Sequence, residues 1–526
     1  MAVNEADAGW HLALGRLIWS KGLPATNSLA WTEPDHPFYA TSWLFDLASW
    51  ASVDSAGIFG LQLLTCALLA ATLLGVTVAC HAVSPRAFWL PAVIAWLLVP
   101  RITPRPHMAS WLILAATVAL CLHATRERWW LRLTCVPLIA VGSNLHAGAI
   151  FSSVALGVFC LDAAVRERRW GREAGIAVAG GLALIANPGG PYNVWYALTH
   201  LRLYRSLPIQ ELQTPGLDEL PAFWASLLPV LLLAFYARKQ RPVLLALAVI
   251  FAVAGVFAAR LAFKYYLVAA PILADGIQRL DPRPGRLLAV ALVALALSTN
   301  VGRYSGVKLA ATWDPHEIPV RAVEFVKREG LEGRLYNTFG DGGYLAWALP
   351  HVPVFQDARV LAYSPAFFKQ QLDVEGSPPH FAAMLDRLNV EWALTSAIPG
   401  ALTGAGLLRD PAWALIYWDD LSELRIRRDA PAAARLVPRL EFQVLRPDRA
   451  PPESVAMIRA SSDAQVDRVE DELGRLAHAG LSAELTHLFQ CAIDLRRARG
   501  ATAACVEAGE RWPGLVGPPA VRGVDP

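Results

Sequence analysis

Residues 57 to 80 read GIFGLQLLTCALLAATLLGVTVAC, a run without a single charge. Backbone N–H and C=O groups cannot stay unpaired in hydrocarbon. A run of this length, rich in Leu and Ala and lacking the short alternation of barrel strands, therefore predicts a membrane-spanning helix. Nine more apolar stretches follow at 88–100, 108–123, 133–143, 147–165, 174–187, 222–237, 243–259, 262–278 and 288–300. Several fall short of the ~20 residues that cross a ~30 Å core, so they borrow flanking residues or enter the membrane only partly. The predicted architecture is an α-helical polytopic membrane bundle of about ten spans.

The loops between the stretches alternate in character. One set holds Arg86, Arg126, Arg128, Arg132, Arg166, Arg168, Arg169, Arg172, Arg238, Lys239, Arg241, Arg279, Arg283 and Arg286. The opposite set holds only Arg101, Arg105, Arg202, Arg205, Arg260 and Lys264. Lys and Arg in short loops mark the cytoplasmic side, so residues 1–56 and everything after about 300 are expected outside, periplasmic in a Gram-negative cell. No apolar run precedes residues 1–56. The expectation is that a first helix lies upstream of Met1 and makes eleven spans, the alternative being export with help from the first span.

Composition agrees with a bundle joined to a large polar portion: 526 residues, 55% hydrophobic, mean hydropathy +0.36. A net charge of +3 is too small to suggest a nucleic-acid partner. Cys66, Cys80, Cys121, Cys135 and Cys160 lie in or beside the stretches as small buried side chains. Cys491 and Cys505 fall in a tail on the oxidising side, where they are able to pair although their spacing does not demand it.

The chain then divides into a first outer loop (1–56), the transmembrane bundle (57–300), an outer soluble α/β domain (301–430), a linker (431–452), a helical tail (453–512) and a disordered end (513–526). In the α/β domain a helix is expected over 316–329. Strands are expected at 334–339, 352–355, 390–395, 414–418 and 423–427, with a turn at 340–343 leading into a short helix.

Nearly every unusual polar residue falls on the outer side. Glu5, Asp7 and His11 open the chain, and a helix over 7–20 would put Asp7 and His11 on one face. Arg105 and His107 flank a proline, Asn144 and His146 sit at a break between stretches, and Glu211, Arg260 and Lys264 come later. Ionisable groups at membrane depth are costly and usually face a cavity or a partner, so this converging set predicts a site. A carboxylate beside fixed cations suits transfer of a group from a lipid-linked phosphate: the carboxylate takes a proton from an acceptor hydroxyl, and the cations stabilise charge growing on the departing phosphate.

The motifs D-A-G-W-H-L-A-L-G-R (7–16), W-T-E-P (31–34), S-W-L-F-D (42–46), R-P-H (105–107), N-L-H (144–146), N-P-G-G (187–190), G-D-G-G-Y-L (340–345) and Q-D-A-R (356–359) resemble bacterial multispanning glycosyltransferases of the GT-C type, over roughly residues 5–430. The resemblance implies transfer of a sugar from a polyprenyl-phosphate carrier, mannosyltransferase-like, by an inverting mechanism at the outer face of the inner (plasma) membrane. It also implies an acid in the first outer loop as base. Asp7 matches that acid and Glu5 the second acid often found beside it. Ser42 stands where the family commonly has Glu, and the span that normally precedes the acid is missing. The acceptor, whether glycan, lipid or protein, is left open.

Each candidate also has a plainer role. Asp7 suits a helix N-cap. His11 and His107 with Asp7 offer a divalent metal such as Mg or Mn a ligand set, or hydrogen-bond locally. Arg105, Arg260 and Lys264 either bind the donor phosphate or snorkel to lipid head groups. Asn187 to Gly190 suit a helix end, Asp341 and Asp357 suit turns, and Tyr344 and Trp347 suit stacking on acceptor or sugar. A transporter or flippase-like handler of lipid-linked glycan would use the same cations without chemistry, though it calls for a midplane site and inverted repeats that are not seen here. A non-catalytic scaffold would tolerate loss of all of them.

Overall fold

The computed structural model describes residues 3–204, 210–280, 287, 290–291, 293–294, 311–397, 407, 410–497, 502–512 and 515. The tenth apolar stretch (288–300), Arg205, Arg283, Arg286 and the end expected to be disordered (513–526) fall outside these residues, isolated positions apart. The chain forms two compact units: Met1–Val3, Leu14–Pro24 and Tyr39–Thr312 make the first, and Asn4–Ala13, Ala25–Phe38 and Trp313–Pro526 the second. The boundary cuts helix α1 (Asp7–Lys21).

In the first unit the apolar stretches become helices. They are α2 (Trp43–Val83), α3 (Leu90–Leu98), α4 (His107–His123), α5 (Trp130–Leu133), α6 (Cys135–Leu145), α7 (Ile150–Glu167), α8 (Trp170–Leu182), α9 (Tyr192–Tyr204), α10 (Pro221–Ala237), α11 (Pro242–Phe257) and α12 (Ala259–Arg279). Helix α2 breaks at Ala56 and Gly57, where Gly57 takes φ +61°, so the apolar run from 57 starts at a real discontinuity. Proline opens α10 and α11 at a position whose N–H has no helical acceptor.

Helix α12 is the axis of this unit. Its residues from Leu261 to Gly276 are buried without interruption, and it packs against α2, α3, α4, α10 and α11. The other helices turn apolar side chains outward: Leu74 on α2, Leu161 and Val165 on α7, Val178 and Leu182 on α8, Leu228 and Leu232 on α10, and Val253 and Phe257 on α11 are all exposed. An apolar exterior around an apolar interior is the surface of a helical membrane protein, because water would penalise it and lipid does not. Among the described residues two helices are long and apolar enough to cross a bilayer unaided, Trp43–Val83 and Ala147–Glu167; five further apolar helices are shorter.

The arginine-rich loops are tied together by ion pairs and a hydrogen bond. Arg132, 3% exposed, donates to Glu173 at 2.8 and 2.9 Å and to Glu167 at 3.0 Å. Arg166 donates to the Gln240 carbonyl at 2.5 Å, and Arg241 and Arg279 both reach Asp275. Four of the five basic loops therefore share one end of the unit.

The second unit is built on a four-stranded sheet of order β1-β2-β4-β3, with β1 Leu335–Asn337, β2 Trp392–Ser396, β3 Trp413–Trp418 and β4 Ser422–Arg427. β1 and β2 run parallel, and the crossover between them carries helices Gly342–Ala348, Pro365–Glu375 and Pro378–Arg387. The remaining pairs are antiparallel, with a register shift between Leu415 and Tyr417. Residues 352–355, expected as a strand, make only an isolated bridge between Val354 and Ala30. The segment expected as a linker carries helix Ala433–Leu440, with Leu436, Leu440, Phe442 and Leu445 buried. Four helices follow: Pro451–Ala460, Asp463–Ala479, Ala483–Arg496 and Ala503–Arg511, the last two joined by the disulfide Cys491–Cys505.

Candidate functional site

In the first unit, polar residues from four places in the sequence meet around Glu211. Arg101 follows α3, Arg105 stands just before α4, and Arg260 is on the first turn of α12. Glu211 lies in a short turn, Gln210–Leu212. Its carboxylate pairs closely with Arg101 and lies 3.7 Å from Arg105 and 3.6 Å from Arg260. The last two are ion-pair distances, beyond hydrogen-bond range. Three guanidinium groups thus lie around one carboxylate.

The floor of the cluster is aromatic. One turn beyond Arg260, the Lys264 side chain is 3% exposed, with its ammonium 5.2 Å above the Phe151 ring and within the field of Arg260 and Arg101. His107 Nε2 donates to the Arg101 carbonyl at 2.9 Å, and its ring stands edge-on to Trp111, which in turn stacks on Phe263. Tyr196 feels the charges of both Arg105 and Arg260.

Of the residues singled out from the sequence, Arg105, His107, Glu211, Arg260 and Lys264 thus come together. Arg101, from the same polar loop as Arg105, joins them, and so does Tyr196, which was unforeseen. His146 lies within the field of His107, and its Nδ1 accepts the Gly148 amide at 3.1 Å. Asn144 is spent structurally: it accepts from Trp43 Nε1 at 2.8 Å and donates to the Ala140 and Ala186 carbonyls.

Glu5, Asp7 and His11 belong to the second unit. Asp7 is the first residue of α1, and His11, one turn on, is 1% exposed beside the Trp10 ring. The segment is fixed by backbone contact: a Cβ on Gly9 would lie 2.4 Å from the Gly343 carbonyl oxygen, and one on Gly343 would lie 2.6 Å from that of Ala6. The glycines of the first and seventh motifs are therefore two halves of one contact.

W-T-E-P and Q-D-A-R also meet. Trp31 Nε1 donates to the Leu335 carbonyl at 3.0 Å, Glu33 accepts from the amide and hydroxyl of Ser364, and Arg359 bridges Asp357 and Asn27 at 2.7 Å each. Asp357 is fully buried in this network, which makes it a tie, and Tyr344 packs edge-on to Trp313 as core. Among the described residues no three His, Cys, Asp or Glu side chains gather as a metal ligand set.

No protein-family profile matches the chain, and neither does any curated protein. Solved structures do. The archaeal oligosaccharyltransferase AglB from Archaeoglobus fulgidus, in complex with an inhibitory peptide and a dolichol-phosphate, aligns with a TM-score of 0.51 at 10% identity, over 76% of this chain and 66% of its own. This chain thus spans just under two thirds of that protein's length. The Archaeoglobus fulgidus oligosaccharyltransferase in complex with zinc and sulfate aligns with a TM-score of 0.50 at 10% identity, over 98% of this chain and 82% of that one. ArnT from Cupriavidus metallidurans bound to undecaprenyl phosphate aligns at 0.46 and 16% identity, over 81% and 94%. The chain shares its fold with the Archaeoglobus fulgidus oligosaccharyltransferase.

Proposed function

We propose that this protein is an integral-membrane glycosyltransferase that moves a sugar from a polyprenyl-phosphate donor to an acceptor hydroxyl at the outer face of the inner membrane. The observation that carries this is the meeting of Arg101, Arg105 and Arg260 around one carboxylate, with Lys264 beside them, at the end of the bundle opposite the arginine-rich loops. Fixed guanidinium groups suit a phosphate, whose oxygens accept in pairs, and they stabilise the charge that grows as it departs. The dolichol-phosphate in the AglB complex is of the same chemical class as the proposed spent carrier.

In the proposed step Asp7 takes the proton of the acceptor hydroxyl as its oxygen bonds to the anomeric carbon. The bond from that carbon to the phosphate oxygen breaks, and polyprenyl phosphate leaves with the electron pair. Attack opposite the leaving group inverts the anomeric centre. The oxidising side expected for the soluble tail is supported by the Cys491–Cys505 disulfide. The zinc bound in the Archaeoglobus fulgidus oligosaccharyltransferase supports a divalent metal as a cofactor here, and among the described residues no three-residue ligand set gathers for it. No step is routed through one.

The test is transfer of labelled sugar from polyprenyl-phosphate donors into membrane acceptors. Asp7→Asn is expected to lower transfer by ~10²–10⁴, the usual worth of a positioned base, with membrane insertion and donor binding unchanged. Arg260→Ala is expected to weaken donor binding. Full activity in Asp7→Asn would remove the base, full activity in both variants would remove the assigned site, and absence of transfer by the parent protein would remove the enzyme reading.

A further inference from the structure

Glu211 is out of place in a phosphate site. An acidic side chain lowers the positive potential that a phosphate needs, yet here it lies among the arginines themselves. Its backbone is anchored. Leu212 is buried, and the Gln213 carbonyl accepts the Ala259 amide at 2.9 Å, fastening the turn to the start of α12. Its side chain is 20% exposed, so the carboxylate has solvent on one side into which it can swing. A carboxylate gathered by guanidinium groups presents the same charge and the same paired acceptor oxygens as a phosphate.

We propose that Glu211 is an exchangeable counter-ion: its carboxylate holds the arginines in the unliganded protein, gives them up when a phosphate group binds, and returns when that group leaves. This rests on the phosphate-site assignment above. The chemistry gives the exchange a purpose. A sugar donor is a phosphodiester with one negative charge, whereas the spent carrier is a monoester whose second proton is half lost near pH ~6. A cationic site therefore grips product at least as firmly as donor. A tethered competitor weakens both by the fraction of time it occupies the arginines, which keeps the spent carrier exchangeable.

The experiment measures binding of a polyprenyl monophosphate, inorganic phosphate and the uncharged polyprenol to the purified full-length protein in detergent. If the carboxylate holds the arginines about nine-tenths of the time, Glu211→Gln tightens the lipid phosphate ~10-fold and leaves the polyprenol unchanged. Glu211→Asp, which keeps the charge but shortens the reach, gives a smaller gain in the same direction and serves if the Gln variant folds poorly. A gain with inorganic phosphate as well assigns the phosphate group alone as ligand, and a gain confined to the lipid assigns the lipid head group; both support the exchange. Unchanged or weaker lipid-phosphate binding in both variants overturns it, weaker binding marking Glu211 as a brace that orders the arginines. Arg105→Ala and Arg260→Ala separate the two levels. If they lose lipid-phosphate binding while the Glu211 variants gain none, only the counter-ion falls; if they keep it, the phosphate site itself falls.

Discussion

Gly342 follows Asp341 at the head of a short helix, and a Cβ on it would lie 1.9 Å from the Gln356 carbonyl oxygen. The G-D-G-G-Y string reads as a turn in sequence; in space its first helical glycine is a backbone-to-backbone contact with Q-D-A-R. Which partner that glycine meets is long-range information that no local pattern contains. Asp341 itself is titratable in an informative way. Burial raises its carboxyl above the ordinary 3.8, and the Thr338 hydroxyl, donating at 2.5 Å, pulls the other way without prevailing. A raised value means that the folded chain holds this proton more tightly than the unfolded chain does. Its stabilisation is complete below about 3.8 and is lost as pH climbs through the folded value. Asp341→Asn, which keeps the acceptor for Thr338 and drops the charge, should therefore gain thermal stability over the parent as pH rises from about 4 to about 7. Thermal unfolding followed by tryptophan fluorescence checks this, and an offset that stays constant with pH would refute it.

At the scale of elements, long apolar runs were legible because one force, exclusion of polar backbone from hydrocarbon, acts on every residue in them. Nine of the ten stretches coincide with described helices, the 133–143 stretch splitting at Thr134. Shorter signals were less secure. The β-rich run at 352–355 had the composition of a strand, but Val354 pairs with Ala30 and not with the sheet. The Pro, Arg and Ala composition of 431–452 read as linker because a helix of eight residues with two buried leucines barely registers against it. The site was half legible. Arg105, Arg260 and Lys264 stood out as costly charges and Arg101 lay in the same polar loop as Arg105, whereas the pairing that gathers them was hidden because Glu211 is 110 positions from Arg101. A second pairing of this kind is the Arg132–Glu173 bridge between α5 and α8, whose side chains are 4% and 0% exposed. Arg132 keeps Glu167 as a partner when Glu173 is lost, so Glu173→Gln should cost less than the roughly 3–5 kcal/mol of a charge left wholly unmatched, and Arg132→Met with Glu173→Leu less again. Chemical unfolding of the purified protein decides it, and equal losses in the single and double variants would mean that the pair is not effectively buried.

For the whole molecule the deciding property is which end of the bundle faces the cytoplasm. Ion pairs and one hydrogen bond join loops 124–134, 166–173, 238–241 and 275–279 into one basic rim, and the Glu211 cluster joins 101–105 to 211 and 260. The alternation seen along the sequence is thus a segregation in space. On the positive-inside rule we propose that the basic rim is cytoplasmic and the cationic cluster outer, where a lipid-linked donor would be presented. Single cysteines test the assignment in a chain whose five unpaired cysteines are replaced. Arg128→Cys lies on the basic rim and Asp218→Cys in the loop after Glu211; both positions are exposed. A membrane-impermeant maleimide applied to spheroplasts should label Asp218→Cys at once and Arg128→Cys only after lysis. The reverse order would turn the bundle over, move the cationic cluster to the cytoplasmic face, and require a donor presented from the cytoplasm. Labelling of both before lysis would mean that the two loops do not lie on opposite sides, and the spanning bundle itself would have to be redrawn.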